Sequence, residues 1–592
     1  MGSKNIKNAT VYRTPEAWAQ RFAVPEYHPN LEITGEYDEA LAAKCSNGTF
    51  VGQIMENGSV KAWRGIPFAD IPARFERSVE PADSDKVFEA YYYGKSGLQV
   101  PDESEPASYY EQGELDVLTL TVYTGNNDIP NKPILVYVHG GAYACGGTSD
   151  KAYDPTSLVY YNPDLLVINI SYRIGILGLL DLGVKDENGN YLLKDYEENI
   201  EKYKSSNNTA LLDVIQGLRW IKKNAAAFGG DINNITISGE SAGAGCVSNL
   251  LMIASDPDNK YISLDEKLFR KVFSMSGGIN QYTSLKNSGK MTRGFIEYFG
   301  AHSVADLQKI GLNELREWLV KVEVGLNLLV LDGEVLPKNI IEVYDKYSRN
   351  VGSEITVLQG ATTNEYAYFR TVFKDTYESL GITHEDCARA AYKGLTEPTE
   401  EYPDLKVTDG FKEAMTAYFG ALEEEGLITD DEKLNTFLND HSLQIINYYM
   451  AAKQALNGGI TYIYAFDQKY DGHYAECGAG HAVDCYYLFG NFNGGKARGT
   501  HRQVDFSRKY QNMVANFCRN GDPSTEDILW KPYDAENGFC ALLNDEKTEC
   551  VRAYHYGRIK NAIKMIDENS AMKLFFPWPR MFEIAVELHS EN

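Results

Sequence analysis

The chain has 592 residues, 43% of them apolar and 12% aromatic, enough to bury a large core and to exclude global disorder. With 57 basic against 83 acidic residues the formal charge is −26, which excludes nucleic-acid backbones and anionic membrane surfaces as partners by repulsion. Nine scattered cysteines form no CxxC pair and no cluster at zinc spacing, and residues 1–21 hold no apolar stretch of signal type. Together these point to a reducing compartment, the cytoplasm.

Length alone suggests about four domains, yet no internal repeat, low-complexity tract or Pro/Gly/Ser-rich linker divides the chain. Residues 1–592 are therefore read as one elaborated domain. Its first part, to about residue 115, is loop-rich and is expected to form a small antiparallel sheet beside the main one. Short apolar runs bounded by turn residues then predict buried strands at 133–138 and 165–172. The most apolar window, 165–182, contains Asn169, Ser171, Arg173 and Asp181, groups a membrane span rarely accepts. Helical spacing of Leu211, Leu212, Ile215, Leu218 and Ile221 predicts a helix over 208–228. Strands follow at 235–238, 271–275, 355–358 and 461–466, with a helix at 245–253. Two acidic regions, 303–350 and 375–455, read as helical insertions. This alternation predicts an α/β fold: a mixed, mostly parallel central sheet with helices on both faces and the insertions roofing its carboxyl edge. Active sites in such sheets gather at the carboxyl ends of the strands.

Gly239-Glu240-Ser241-Ala242-Gly243 stands between the strand at 235–238 and the helix at 245–253. A serine at so tight a turn holds strained backbone angles, and glycines two positions either side let neighbouring segments pass. That geometry exposes the Ser241 hydroxyl as a nucleophile and sets the Ala242 N–H beside a developing oxyanion. The strand at 133–138 runs into His139-Gly140-Gly141-Ala142-Tyr143, where Gly141 and Ala142 are candidate oxyanion donors. A serine needs a base, and the base a carboxylate to orient it, in the chain order Ser, acid, His. Glu365 follows the strand at 355–358, and both His473 and His481 follow the strand at 461–466; spacing does not choose between them. Glu240 reads as a buried hydrogen-bonding support. His384-Glu385 begins like a metalloprotease helix, but position 388 is Ala. Neither a metal nor an organic cofactor is expected.

These residues resemble the type B carboxylesterases, the α/β-hydrolase branch that includes the cholinesterases. The resemblance extends through Trp63-Arg64-Gly65-Ile66-Pro67-Phe68-Ala69, Arg74-Phe75, Ser171-Tyr172-Arg173-Ile174-Gly175-Ile176-Leu177-Gly178, Phe228-Gly229-Gly230-Asp231 and Asn516-Phe517 with Gly521-Asp522-Pro523. Thr363-Asn364-Glu365 is similar to the family's acid segment. Gly478-Ala479-Gly480-His481 with Leu488-Phe489-Gly490-Asn491 is similar to its histidine segment, which favours His481 over His473. The resemblance implies a Ser241–His481–Glu365 triad, an oxyanion hole from Gly141, Ala142 and Ala242, a supporting role for Ser276, and a small-molecule ester as substrate. It departs from the family at Leu115-Asp116-Val117-Leu118, where secreted members carry a disulfide cysteine, and at Asn364-Glu365-Tyr366, where the family usually has Asp-Glu-Gly. Tyr91-Tyr92-Tyr93 occupies the region of the family's Trp-bearing choline loop, so choline esters are not the expected substrates. Small to medium apolar esters are expected instead. An amide, thioester or carbamate hydrolase would share the first half-reaction, whereas non-catalytic adhesion or scaffold members usually lack part of the triad.

Overall fold

The computed structural model describes residues 26–568 except 56–57, 102–105, 323–327, 339, 373, 375–376, 379–380, 398–406, 471, 492–499 and 553. Residues 1–21, on which the signal reading rests, lie outside that set. Among the described residues, eleven strands make the central sheet. They are β1 (Gln53–Ile54), β2 (Val60–Pro67), β3 (Thr119–Gly125), β4 (Lys132–Val138), β5 (Leu166–Ile170), β6 (Gly230–Glu240), β7 (Lys271–Met275), β8 (Thr356–Thr362), β9 (Thr461–Phe466), β10 (Cys540–Leu543) and β11 (Thr548–Val551). They lie side by side in the order β11-β10-β9-β8-β7-β6-β4-β5-β3-β2-β1. Pairing is parallel from β10 through β5. It turns antiparallel at both edges.

The central strands are apolar on both sides because both sheet faces are covered. Ile134, Val136 and Val138 of β4 join a cluster with Leu211 and Leu218 of α1 (Thr209–Asn224) and with Val247 and Leu250 of α2 (Ala242–Ala254). The alternate residues Leu135 and Tyr137 face the other way. There they join Tyr510, Val514 and Phe517, which lie on a long helix, His501–Asn520, near the end of the chain. Between these come α3 (Glu365–Val372), α4 (Asp409–Glu424), α5 (Asp430–Asn439) and α6 (Ile445–Leu456). The long helix is α7 (His501–Asn520), and α8 (Tyr556–Glu568) closes the described chain.

Several sequence expectations need correction. The small sheet of the first 115 residues is mixed rather than antiparallel: Ala42–Cys45 pairs antiparallel with Gly48–Val51, which pairs parallel with Val87–Glu89. Within the same region β1 and β2 join the central sheet. The expected helix at 208–228 ends at Asn224, and a 3-10 turn, Ala225–Phe228, closes on Gly229 at φ 84°. Region 303–350 holds a short strand, Leu329–Leu331, paired parallel with Tyr282–Ser284, besides its helices. Strand β6 starts earlier than predicted because Asp231, Asn233 and Asn234 sit where its register shifts against β4, so Ile232 among them makes no apolar run. No helix of the described residues is long and apolar enough to cross a membrane.

Candidate active site

Five neighbouring strands, β4, β6, β7, β8 and β9, deliver the candidate side chains to one edge of the sheet. Strand β6 ends at Glu240, α2 begins at Ala242, and Ser241 between them holds φ 55° and ψ −120°. A non-glycine residue adopts such angles only when its surroundings enforce them. Here the Ser241 N–H donates to Met275 O at 2.9 Å, and Ser241 O accepts from Gly245 N at 2.9 Å. The turn is tight enough that a Cβ on Gly239 would lie 2.3 Å from the Gly243 carbonyl carbon. One on Gly243 would lie 2.0 Å from Val138 O. Only glycines allow β4, β6 and α2 to approach this closely.

The loop after β4 lies directly against this turn. A Cβ on Gly140 would come within 2.7 Å of Glu240 Oε2 and 3.2 Å of the Ser241 Cβ. Gly141 and Ala142 hold φ 96° and 53°. Gly141 O is turned into the loop, accepting from the Ala144 and Cys145 N–H groups at 2.9 and 3.0 Å. Among the described residues, the Gly141 and Ala142 N–H groups donate to no protein acceptor, and Ala242 heads a helix whose first N–H groups have no partner within it. His139 braces the loop: its Nδ1 donates to Gly140 O at 2.9 Å, and its ring stacks on Tyr172 with centroids 4.5 Å apart. Burial pushes that imidazole down to about 4, so it is neutral at ordinary pH.

Glu365 opens α3, where the helix's positive end favours a carboxylate, and it is fully buried. Its Oε1 accepts from Ser276 Oγ at 2.5 Å and from the Thr362 N–H at 2.7 Å. Its Oε2 meets His481 Nδ1 at 2.5 Å. His481 thus contacts Glu365, and the backbone of His473 lies on a separate 3-10 segment, Gly472–Cys477. The Phe369 ring lies 4.7 Å from the His481 ring, and Tyr470 donates its hydroxyl to His481 O at 2.7 Å. Ser276 holds φ 50°, an angle that aims its hydroxyl at the carboxylate just beyond β7.

The other imidazole nitrogen does not meet Ser241. His481 Nε2 lies 3.1 Å from Glu240 Oε1, and among the described residues Ser241 Oγ makes no hydrogen bond. Burial opposes the imidazolium, but the carboxylates of Glu240 and Glu365 outweigh it and push His481 up to about 9. Burial raises Glu240, against the opposing pull of the charged His481. The two groups therefore titrate as a coupled pair, although Glu240 Oε1 accepts no hydrogen bond among the described residues.

A third carboxyl group, Asp484, was not singled out from the sequence. It is fully buried, accepts from Tyr464 OH at 2.7 Å, and is raised by burial to about 6. Its place three residues after His481 was the available signal.

Residues 39–201 and 198–562 match the sequence profile described as the carboxylesterase family. Para-nitrobenzyl esterase of Bacillus subtilis is 27% identical over 526 residues, covering 83% of this chain and 93% of that protein. Carboxylesterase 1C of Rattus norvegicus is 26% identical over 465 residues, 75% of each chain. Among solved structures, the carboxylesterase EST55 of Geobacillus stearothermophilus superposes with a TM-score of 0.70 at 25% identity, covering 88% of this chain and 99% of that one.

Proposed function

This chain belongs to the carboxylesterase family, and from that premise we propose that it hydrolyses carboxylic esters through an acyl-enzyme on Ser241. The observation that carries the proposal is the 2.5 Å contact of Glu365 with His481 at the strand edge where β6 ends in the Ser241 turn. His481 Nε2 takes the hydroxyl proton as Ser241 Oγ attacks the ester carbonyl. Glu365 fixes the ring through Nδ1 and stabilises the imidazolium. The N–H groups of Gly141, Ala142 and Ala242 hold the tetrahedral oxyanion. Collapse expels the alcohol, which leaves with the proton from Nε2. Water then attacks the acyl-enzyme by the same route, with His481 again as base, and releases the acid.

Ser276 supports this cycle by anchoring Glu365 Oε1, and Glu240 by supplying negative charge beside the imidazolium. Catalytic hydrogen bonds are often loose in unliganded sites, and Nε2 must leave Glu240 for Ser241 before the first transfer. The substrates proposed are small to medium apolar esters. Because the groups come from strand ends spread along most of the chain, one elaborated domain is the organisation proposed. No disulfide joins any of the nine cysteines, which favours a reducing compartment, and the cytoplasm is the location proposed.

The test is kcat/KM for a p-nitrophenyl ester and its matched anilide, in the wild type and in Ser241→Ala. Ester preference lost with Ser241 is expected. Equal or higher turnover of the anilide would move the assignment to amide hydrolysis, and full ester turnover in Ser241→Ala would end it.

A further inference from the structure

Two side chains five residues apart hold the turn that carries Glu365. Asn439 Nδ2 donates to Thr363 O at 3.0 Å, and its Oδ1 accepts from the Tyr366 N–H at 3.4 Å. Gln444 Nε2 donates to Thr362 O at 2.6 Å. The turn from Thr362 to Tyr366 is thus gripped at both ends by one helical segment, while the Thr362 N–H reaches Glu365 Oε1 from within.

A regular α-helix would not permit this, because it advances about 100° per residue and leaves positions five apart about 140° from each other. Here α5 passes into α6 through a π-turn, Asp440–Gln444. A ladder that repeats every five residues brings Asn439 and Gln444 toward a common side. Such insertions are rare because they give up regular helical packing, so something must hold this one. Asp440, 1% exposed, accepts from Tyr418 OH of α4 at 2.7 Å and lies 2.9 Å from Arg558 Nε of α8. Arg558 also donates from Nη1 to Glu425 Oε2 at 2.8 Å. Four helices therefore meet on the π-turn, and the amides of its N-cap, Asn439, and of its last residue, Gln444, meet the strand end.

We propose that Asn439 and Gln444 are positioning residues for Glu365, and that the π-turn pinned by Asp440, Tyr418 and Arg558 exists to bring both amides onto one turn. This rests on the reading of Glu365 as the carboxylate that orients His481. A carboxylate displaced by even 1 Å loses its alignment with Nδ1, and misplacements of that size reach about 10²-fold in rate.

Asn439→Leu and Gln444→Met, singly and together, keep side-chain bulk and remove the amides. They should be assayed on p-nitrophenyl acetate from about pH 5 to 9, the range in which a histidine base shows its acid limb. Each single variant is expected to lower kcat about tenfold with KM nearly unchanged, and the double variant by less than the product, since both act on one turn. The acid limb of kcat/KM should move to lower pH. Of the carboxyl groups that act on His481, namely Glu240, Glu365 and Asp484, only Glu365 is held by this clamp. A wild-type kcat in the folded variants would overturn the proposal, and so would a fall in kcat with an unmoved acid limb, which is the signature of general loosening. Should the double variant not fold, the two single variants decide on the same criteria. Glu365→Gln separates this proposal from its premise. If that variant keeps full activity the role of Glu365 is wrong; if it is inactive while the amide variants are silent, only the clamp is.

Discussion

His481 Nε2 lies 3.1 Å from Glu240 Oε1 while the ring's Nδ1 holds Glu365 at 2.5 Å, so the imidazole is bracketed by two buried carboxylates. Both favour the imidazolium, and a base must be unprotonated to accept the Ser241 proton. The acid limb of kcat/KM is therefore expected above the ordinary histidine value of about 6.5. Glu240→Gln removes one of the charges that raise His481, so the limb should move to lower pH. Stopped-time assays across the pH range, fitted for kcat/KM, measure it; an unmoved limb would show that Glu240 exerts no field on the base.

Ser276 gives Glu365 one of its two Oε1 hydrogen bonds, the other coming from the Thr362 N–H. Bonds to a charged acceptor contribute about 1.5–3 kcal/mol, so Ser276→Ala should lower kcat roughly tenfold or more and leave KM near its original value. A change in KM alone would assign Ser276 to substrate binding.

The two histidines make a clean pair. His481→Ala should lose about 10³-fold or more in kcat, and His473→Ala should keep most of its activity. The reverse result would exchange their roles.

The turn at Ser241 depends on missing side chains. A methyl on Gly243 meets Val138 O at 2.0 Å, backbone that cannot retreat without disturbing β4. Gly243→Ala is expected to destabilise the protein by about 3 kcal/mol or more, measured by denaturant unfolding. An unchanged midpoint would mean that β4 and α2 can separate freely.

The parts legible in the sequence were those with a local cause. The apolar runs of β4, β7 and β9 were bounded by turn residues, and Gly239 answered a steric need, the approach of Gly243, that exists within five residues. What escaped was set by partners far along the chain. The contact of Glu240 with His481 joins residues 241 positions apart. The π-turn at 440–444 carries no composition of its own, since its cause is Arg558 and Tyr418 on other helices. The strand Val87–Glu89 was missed because three half-buried residues give no period to read.

The central claim is a covalent acyl-enzyme on Ser241. Intact-mass spectrometry after treatment with an organophosphate, followed by peptide mapping, tests it most directly. One adduct per chain is expected on the peptide containing Gly239 to Gly243, localised to Ser241 and absent from Ser241→Ala, with ester turnover lost in parallel. Stoichiometric labelling at another residue, or full turnover in the unlabelled Ser241→Ala protein, would contradict the account.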